Sequence, residues 1–213
     1  IKNAELIKVA YNTYIGMKIV YANTMMEICH KIGADVGSVI DAICLANERL
    51  ISGKYLRGGM GDGGGCHPRD NIAMSWLSKT LDLSHDYFED LMLAREHQTE
   101  WLADLCESYG KKIYILGKSF KPETNIQTGS PAILLYNILK ERSADVKISD
   151  PHTDDNFAEF WETIEVDSVI FLATKHEAFK QLKYPAGCII IDPFRYMPKI
   201  AGVQVVKIGG QNE

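Results

Sequence analysis

The chain has 213 residues, 46% of them hydrophobic and 24% charged, with a formal net charge of −5. This composition is typical of a globular protein of one large or two smaller domains. The acidic balance argues against nucleic acid as a partner, because phosphate recognition needs a basic face. No apolar run reaches the roughly 18 residues of a membrane span, and we identify no signal peptide. We therefore expect a cytoplasmic protein with no membrane partner.

The five cysteines are odd in number and widely spaced. They contain no Cys-x-x-Cys pair, so neither a disulfide framework nor a metal site is predicted. A reducing compartment is consistent with this pattern.

Helical periodicity dominates residues 1–109. Helices are predicted over 3–32, about 35–47, about 68–80 and about 83–109, with a glycine-rich loop over 52–65. From residue 110, short apolar segments alternate with helical ones, which predicts a parallel sheet with helices on both faces. The predicted strands span 112–117, 144–151, 168–173, 188–192 and 203–208, and the predicted helices span 130–141, 157–163 and 177–182.

The predicted fold class is therefore α/β, with an all-helical domain over 1–109 followed by a Rossmann-like parallel α/β domain over 110–213. Ligands of parallel sheets bind beyond the carboxyl ends of the strands. The segments expected at that edge are 117–129, 150–151, 174–176 and 192–195.

A glycine-rich run leads directly into Cys66. Six of the eight residues 58–65 are glycine, and Pro68 suits the first turn of a helix. Cys66 would then lie at a helix N-terminus, where the helix dipole favours the thiolate that a nucleophile needs. The alternative is a buried structural cysteine.

Two residue pairs with helical i, i+4 spacing are candidates for further polar groups of the site. Cys66 and Asp70 would face one pocket, where the carboxylate could accept a proton or orient water. Lys8 and Asn12 share one face of the first helix. They either face solvent or donate hydrogen bonds to an anionic oxygen. His67 is an alternative base, which would make a Cys–His dyad with Cys66.

Two phosphate-binding motifs are absent from the sequence. The segment 117–119 (Gly-Lys-Ser) is not a Walker A motif, because Lys112 stands where the motif needs glycine. No Gly-x-Gly-x-x-Gly follows a predicted strand, so the chain has no dinucleotide-binding fingerprint of its own.

Four ordered motifs resemble the UDP-glucose/GDP-mannose dehydrogenase family. They are residues 5–12, residues 61–70, residues 116–122 with 130–132, and the group 150–151, 174–176 and 192–195. The chain is similar to the central helical domain and the C-terminal UDP-sugar-binding domain of that family, and the family's N-terminal NAD domain has no counterpart here. Thr128 stands where the family has an arginine that reaches NAD, and Asp62 replaces an apolar residue.

The resemblance implies NAD-dependent oxidation of the C6 alcohol of a nucleotide sugar to an acid, through a Cys66 thiohemiacetal and thioester. It implies that Lys8 and Asn12 stabilise the oxyanion and hold the hydrolytic water, and that Asp70 supports proton transfer. The implied substrate-binding residues are Tyr55, Leu56, Arg57, Gly61, Gly63, Phe120, Lys121, Arg195 and, reaching a partner's site, Arg49. The implied cofactor-binding residues are Gly65, Cys66 and Thr128, with NAD held mainly by the N-terminal domain.

The resemblance also implies a homodimer formed through the central helices. UDP-glucose is the first substrate we expect, and UDP-N-acetylhexosamines and GDP-mannose remain open. The alternative function is a non-catalytic nucleotide-sugar-binding or scaffold dimer, and a Cys–His hydrolase is a third hypothesis.

Overall fold

Four helices precede a five-stranded parallel sheet. The structure is a computed structural model that describes residues 2–47, 57–61, 64–80, 82 and 85–210, apart from the side chains of Lys2, Asn3, Leu6 and Thr24. The first helices are α1 (Lys2–Ile32), α2 (Val36–Cys44), α3 (Cys66–Thr80) and α4 (Tyr87–Glu107). This order of helices followed by a parallel sheet confirms the predicted α/β class.

Helix boundaries differ from the predicted ones where capping groups define them. Helix α2 begins after Asp35, whose carboxylate accepts the Ser38 backbone N–H. Helix α4 begins at Tyr87 rather than near 83, because Asp86 caps it by accepting the Glu89 N–H. Helix α3 begins two residues before Pro68, so that Cys66 is its first residue.

The strands are β1 (Ile113–Leu116), β2 (Val146–Ser149), β3 (Val169–Leu172), β4 (Ile189–Asp192) and β5 (Gln204–Lys207). They are parallel, in the order β2-β1-β3-β4-β5. Helices α5 (Pro131–Glu141) and α6 (Phe157–Glu162) connect strands, and Glu177–Gln181, predicted as a helix, forms a 3₁₀ turn. Strands β1, β3 and β4 are buried at every position, because helices cover both faces of the sheet.

The two faces of the sheet pack against different partners. One face packs against α4 and α5, and the same apolar cluster continues into α1 and α2 through Met26 and Val36. The other face packs against α6 and the 3₁₀ turn, whose Phe179 is fully buried. The helical half is thus joined to the sheet through one continuous core.

Among the residues described, no helix has the length and apolarity that crossing a bilayer requires.

Candidate active site

Cys66 is the first residue of α3, and it is exposed. The first N–H groups of a helix have no partner inside the helix and carry the positive end of its dipole. The Cys66 thiol at this position is accessible to a substrate. The predicted location of Cys66 at a helix N-terminus is therefore what the structure shows.

Asp70 lies one turn into α3 and joins this helix to α1. The Asn12 amide donates to Asp70 Oδ2 at 2.7 Å, and Arg69 Nε donates to Asp70 Oδ1 at 3.0 Å. Burial raises the pKa of Asp70, but the hydrogen bonds from Asn12 and Arg69 and the charge of Lys8 outweigh it and hold the pKa below its usual range. Asp70 is thus an ionised acceptor at neutral pH. Asn12 contacts it directly, whereas Lys8 is exposed and acts on Asp70 through its charge.

His67 is turned toward α1. Its Nδ1 lies 2.7 Å from the Asn12 carbonyl oxygen, and because a carbonyl only accepts, Nδ1 carries the proton. The imidazole also packs beside Gly16. His67 therefore fastens α3 to α1, which leaves Nδ1 unable to accept a proton from Cys66.

The glycine loop before Cys66 packs against the loop that follows β1. A Cβ on Gly64 would lie 2.5 Å from Phe120 Cδ2, and a Cβ on Gly61 would lie 2.7 Å from Pro131 Cγ. Both distances are too short for any side chain. The half-buried Phe120, predicted to bind substrate, is thus held against the loop that leads to Cys66.

Gly129 contacts the same loop more closely. It has φ +74°, and a Cβ there would lie 2.2 Å from the Gly65 backbone nitrogen. A Cβ on Gly65 would in turn lie 3.3 Å from Thr128 Cγ2. Two of the predicted cofactor-binding residues, Gly65 and Thr128, are therefore neighbours.

Asn23 of α1 binds the glycine loop through its side chain, and the sequence alone did not single this residue out. The side chain is 3% exposed, donates to the Gly61 carbonyl at 2.6 Å and accepts the Gly59 N–H at 2.9 Å. Its position on α1 offered a signal, because a spacing of eleven residues places it on the same helical face as Asn12.

Arg195 closes the other side of the loop. Its Nη2 donates to the Gly58 carbonyl at 2.7 Å, and its Nη1 donates to the Pro193 carbonyl at 2.8 Å. Burial lowers the pKa of Arg195. The predicted substrate contact is thus a guanidinium already bound to backbone carbonyls, and it fixes residue 58 to the end of β4.

A cavity of about 460 Å³ lies beside these residues. Its lining includes the cations of Arg57, Lys175 and Arg195, together with Asn23 and Phe194. Arg57 is exposed and forms an ion pair with Asp41. Such a lining suits an anionic ligand.

Lys121 lies in the loop that follows β1 and is exposed. Its Nζ is 5.3 Å from the centre of the Phe120 ring. Four other predicted residues lie outside the described part of the chain. They are Arg49, Tyr55, Leu56 and Gly63, and Asp62 lies there as well.

Asp150 organises the loops that follow β1, β2 and β3. It is fully buried and accepts hydrogen bonds from the backbone N–H groups of Lys118, Ser119 and His152 and from His176 Nε2. Burial raises its pKa, but these four donors outweigh burial and hold the pKa far below its usual range. The loop that carries Phe120 and Lys121 is thus fixed to the sheet edge by one buried carboxylate.

Comparison with known proteins gives matches along most of the chain. A model described as UDP-glucose/GDP-mannose dehydrogenase family, central domain, matches residues 2–95. A model described as the UDP binding domain of the same family matches residues 114–197.

Individual relatives agree with these matches. UDP-glucose 6-dehydrogenase TuaD of Bacillus subtilis is 33% identical over 156 residues, which cover 71% of this chain and 33% of that protein. GDP-mannose 6-dehydrogenase of Pseudomonas aeruginosa is 28% identical over 225 residues, which cover 94% of this chain and 52% of that protein. The chain thus spans about a third to a half of the length of these relatives.

The fold is also shared with a solved structure. A UDP-glucose dehydrogenase from Pyrobaculum islandicum superposes with a TM-score of 0.82 at 23% identity, over 98% of this chain and 51% of that one. This likeness extends over both the helices and the sheet.

Proposed function

Because this chain belongs to the UDP-glucose/GDP-mannose dehydrogenase family, we propose that it is the substrate-binding part of an NAD-dependent nucleotide-sugar 6-dehydrogenase. The reaction is oxidation of the C6 alcohol of the sugar to the acid. One observation carries the proposal: exposed Cys66 begins α3 one turn before an ionised Asp70 that Asn12 binds.

In this proposal Cys66 is the nucleophile. Its thiolate adds to the C6 aldehyde carbon, and the carbonyl π electrons move to oxygen to give a thiohemiacetal. At the later thioester, water adds to the same carbon and the thiolate leaves with its electron pair. The product is the acid and free Cys66.

Lys8 and Asn12 stabilise the negative oxygen of these two additions. The Asn12 amide carries two N–H groups, and one of them is bound to Asp70. The second is available for the oxyanion or for the hydrolytic water. Asp70, held as a carboxylate, accepts a proton from that water.

The nucleotide diphosphate fits the cavity beside the glycine loop. Its cationic lining, with Arg57, Lys175 and Arg195, matches the charge of a diphosphate. Phe120 and Lys121 approach from the sheet and hold the nucleotide. UDP-glucose is the substrate we propose first, because the UDP binding domain of the family and a UDP-glucose 6-dehydrogenase are among the matches.

The described residues do not provide a dinucleotide-binding turn. Strand β1 ends at Leu116, and the long loop 117–130 separates it from α5, without the glycine-rich turn that leads directly from a strand into a helix. NAD, when bound, accepts the hydrides of a four-electron oxidation. We propose that it is held mainly by a domain other than this chain, with Gly65, Cys66 and Thr128 at its edge.

We also propose a homodimer through the helical half, with the chain divided at 109/110 into helical and sheet domains. Helix α1 exposes large apolar side chains, including Ile7, Tyr11 and Tyr21. A cavity of about 410 Å³ beside them is lined by Tyr14, Tyr21, Tyr87 and Leu91. Exposed apolar patches of this kind mark interaction surfaces. Light scattering should give the mass of a dimer for the wild type and of a monomer for Tyr21→Glu. A monomeric wild type would contradict the proposed homodimer.

The experiment that tests the function measures NADH formation by the complete gene product. UDP-glucose, UDP-N-acetylglucosamine, UDP-N-acetylmannosamine and GDP-mannose are offered separately. We expect about two NADH per sugar oxidised with one of them, as a four-electron oxidation requires. Saturable UDP binding without NADH from any sugar would instead favour the non-catalytic binding protein.

A further inference from the structure

Three side chains of metal-binding type meet at the carboxyl edge of the sheet, and none of them has a role in the proposed oxidation. Glu123 follows β1, His152 follows β2 and His176 follows β3. Their candidate ligand atoms all lie within 4.8 Å of one another. The sheet topology brings them together, since these loops follow strands that are neighbours.

The separations suit a small divalent ion. Glu123 Oε2 lies 3.2 Å from His152 Nε2, and Glu123 Oε1 lies 3.6 Å from His176 Nδ1. Zinc binds nitrogen and oxygen at about 2.0–2.2 Å in a tetrahedron, so that two of its ligands lie about 3.3–3.5 Å apart. The two distances from Glu123 lie on either side of this range, and the ligand atoms of the two histidines lie within 4.8 Å of each other. His176 is fully buried, whereas His152 is exposed and its ring packs against that of His176, with the two centroids 4.5 Å apart.

The surroundings of His176 select the tautomer that a metal needs. Its Nε2 lies 3.1 Å from Asp150 Oδ2 and donates to this carboxylate, which leaves the Nδ1 lone pair facing Glu123. Metal-bound histidines commonly donate their second ring N–H to a carboxylate in this way. At present Nδ1 accepts the Glu123 backbone N–H at 3.1 Å, and this is the hydrogen bond that an ion would replace.

We infer that Glu123, His152 and His176 form a binding site for a divalent first-row cation, Zn²⁺ foremost, with water as the fourth ligand. Two imidazoles and one carboxylate are a donor set that suits Zn²⁺. Mg²⁺ and Ca²⁺ prefer sites made entirely of oxygen ligands, so this site should not favour them. The bound ion would tie the loop 117–130 to the loops after β2 and β3. That loop carries Phe120 and Thr128, so the ion would stiffen the wall that contacts the glycine loop.

The test is titration of the complete chain with Zn²⁺ by calorimetry and with Co²⁺ by visible absorption. We expect one ion per chain, with a cobalt spectrum of nitrogen and oxygen ligands. His152→Ala and Glu123→Gln should each weaken binding by more than about 10-fold, the smallest loss usual when only an outer-shell partner of a metal site is removed. Both side chains are at the surface, so these variants should fold; far-ultraviolet circular dichroism checks this.

Matched controls separate this site from other metal ligands. His97→Ala and Glu162→Gln remove exposed residues of the same types elsewhere and should leave the affinity unchanged. Cys66→Ser should also leave it unchanged. A thiolate charge-transfer band with Co²⁺, loss of binding in Cys66→Ser, full affinity in His152→Ala, or no saturable binding would each overturn the proposal. Because the probe is the metal alone, these outcomes do not depend on the proposed oxidation.

Discussion

The helical half and the sheet half of this chain stabilise their functional groups in different ways. In the sheet half, three neighbouring loops are fixed by Asp150, a buried carboxylate from the same half. In the helical half, the loop before Cys66 is shaped largely by its contacts with Phe120, Gly129 and Pro131 of the sheet half. The proposed nucleophile therefore depends for its geometry on residues far along the chain, whereas the sheet edge is self-supporting.

The sharpest way to separate the chemistry from this scaffold is Cys66→Ala. We expect acid formation by the complete gene product to fall by on the order of 10⁴-fold, as for other deleted nucleophiles, with sugar binding retained. The measurement is the rate of acid formation, with the dissociation constant of the sugar nucleotide as control. Acid produced at a rate near that of the wild type would rule out the thioester role.

Gly129→Ala tests whether the sheet half shapes the Cys66 loop. The new Cβ would meet the Gly65 nitrogen at 2.2 Å in a residue with φ +74°. We expect a loss of about 3 kcal/mol in the free energy of unfolding, from the left-handed conformation plus the clash. Urea titration measures it.

The matched control is Gly110→Ala. Gly110 has φ +62°, and a Cβ there would meet nothing within 4 Å, so only the conformational cost of about 1 kcal/mol remains. Equal losses in the two variants would mean that the contact with Gly65 does not constrain the loop.

Asn23→Ala tests the support of the same loop from α1. It leaves the buried Gly59 N–H and Gly61 carbonyl without their partner, and we expect a loss of about 2 kcal/mol in the free energy of unfolding. The exposed Asn137→Ala on α5 is the control and should change stability by no more than about 0.5 kcal/mol. If both variants behave alike, Asn23 does not hold the loop.

Lys121→Ala tests the contribution of the sheet half to substrate. Removing an exposed cation beside Phe120 should weaken nucleotide-sugar binding about 10-fold, equivalent to a charge-assisted hydrogen bond. Calorimetry with UDP-glucose measures the dissociation constant, and Lys140→Ala, an exposed lysine on α5, is the control. An unchanged dissociation constant counts against the proposed contact.

Asp70→Asn gives the smallest effect, in the pH dependence of stability. Because the folded-state pKa of Asp70 lies below its usual value, its carboxylate stabilises the fold above the ordinary pKa of about 3.9, and this contribution is lost as pH falls through the folded-state pKa. The wild type should exceed the variant in melting temperature at pH 7, and the gap should close as the pH falls below the ordinary pKa of an aspartate. The exposed Asp155→Asn controls for the loss of one charge. A gap that does not depend on pH would contradict the ion-pair origin.

Most of the fold could be predicted from the sequence because its signals are local. Buried runs such as 113–116 and the Ser130–Pro131 cap define strands and helices through neighbouring residues. The location of Cys66 at a helix start followed from the glycine run and Pro68. The i, i+4 spacing was read within helices, and the structure places Lys8 and Asn12 in α1 and Cys66 and Asp70 in α3.

Only the tertiary structure decided which of these groups meet. Asn12 binds Asp70 across 58 residues of sequence, and Asn23 reaches back to Gly59 and Gly61. The Nδ1 of His67, a candidate base by its adjacency to Cys66, lies 2.7 Å from the Asn12 carbonyl oxygen instead.

In the sheet half, too, the residues of the proposed metal site meet only in the tertiary structure. Glu123, His152 and His176 have no short motif spacing, so the sequence predicted no metal there. The sequence by itself determined the elements, because helix caps and strand burial depend on nearby residues. Packing of distant elements decided the clusters, because parallel strands bring the loops at their carboxyl ends together whatever separates them along the chain.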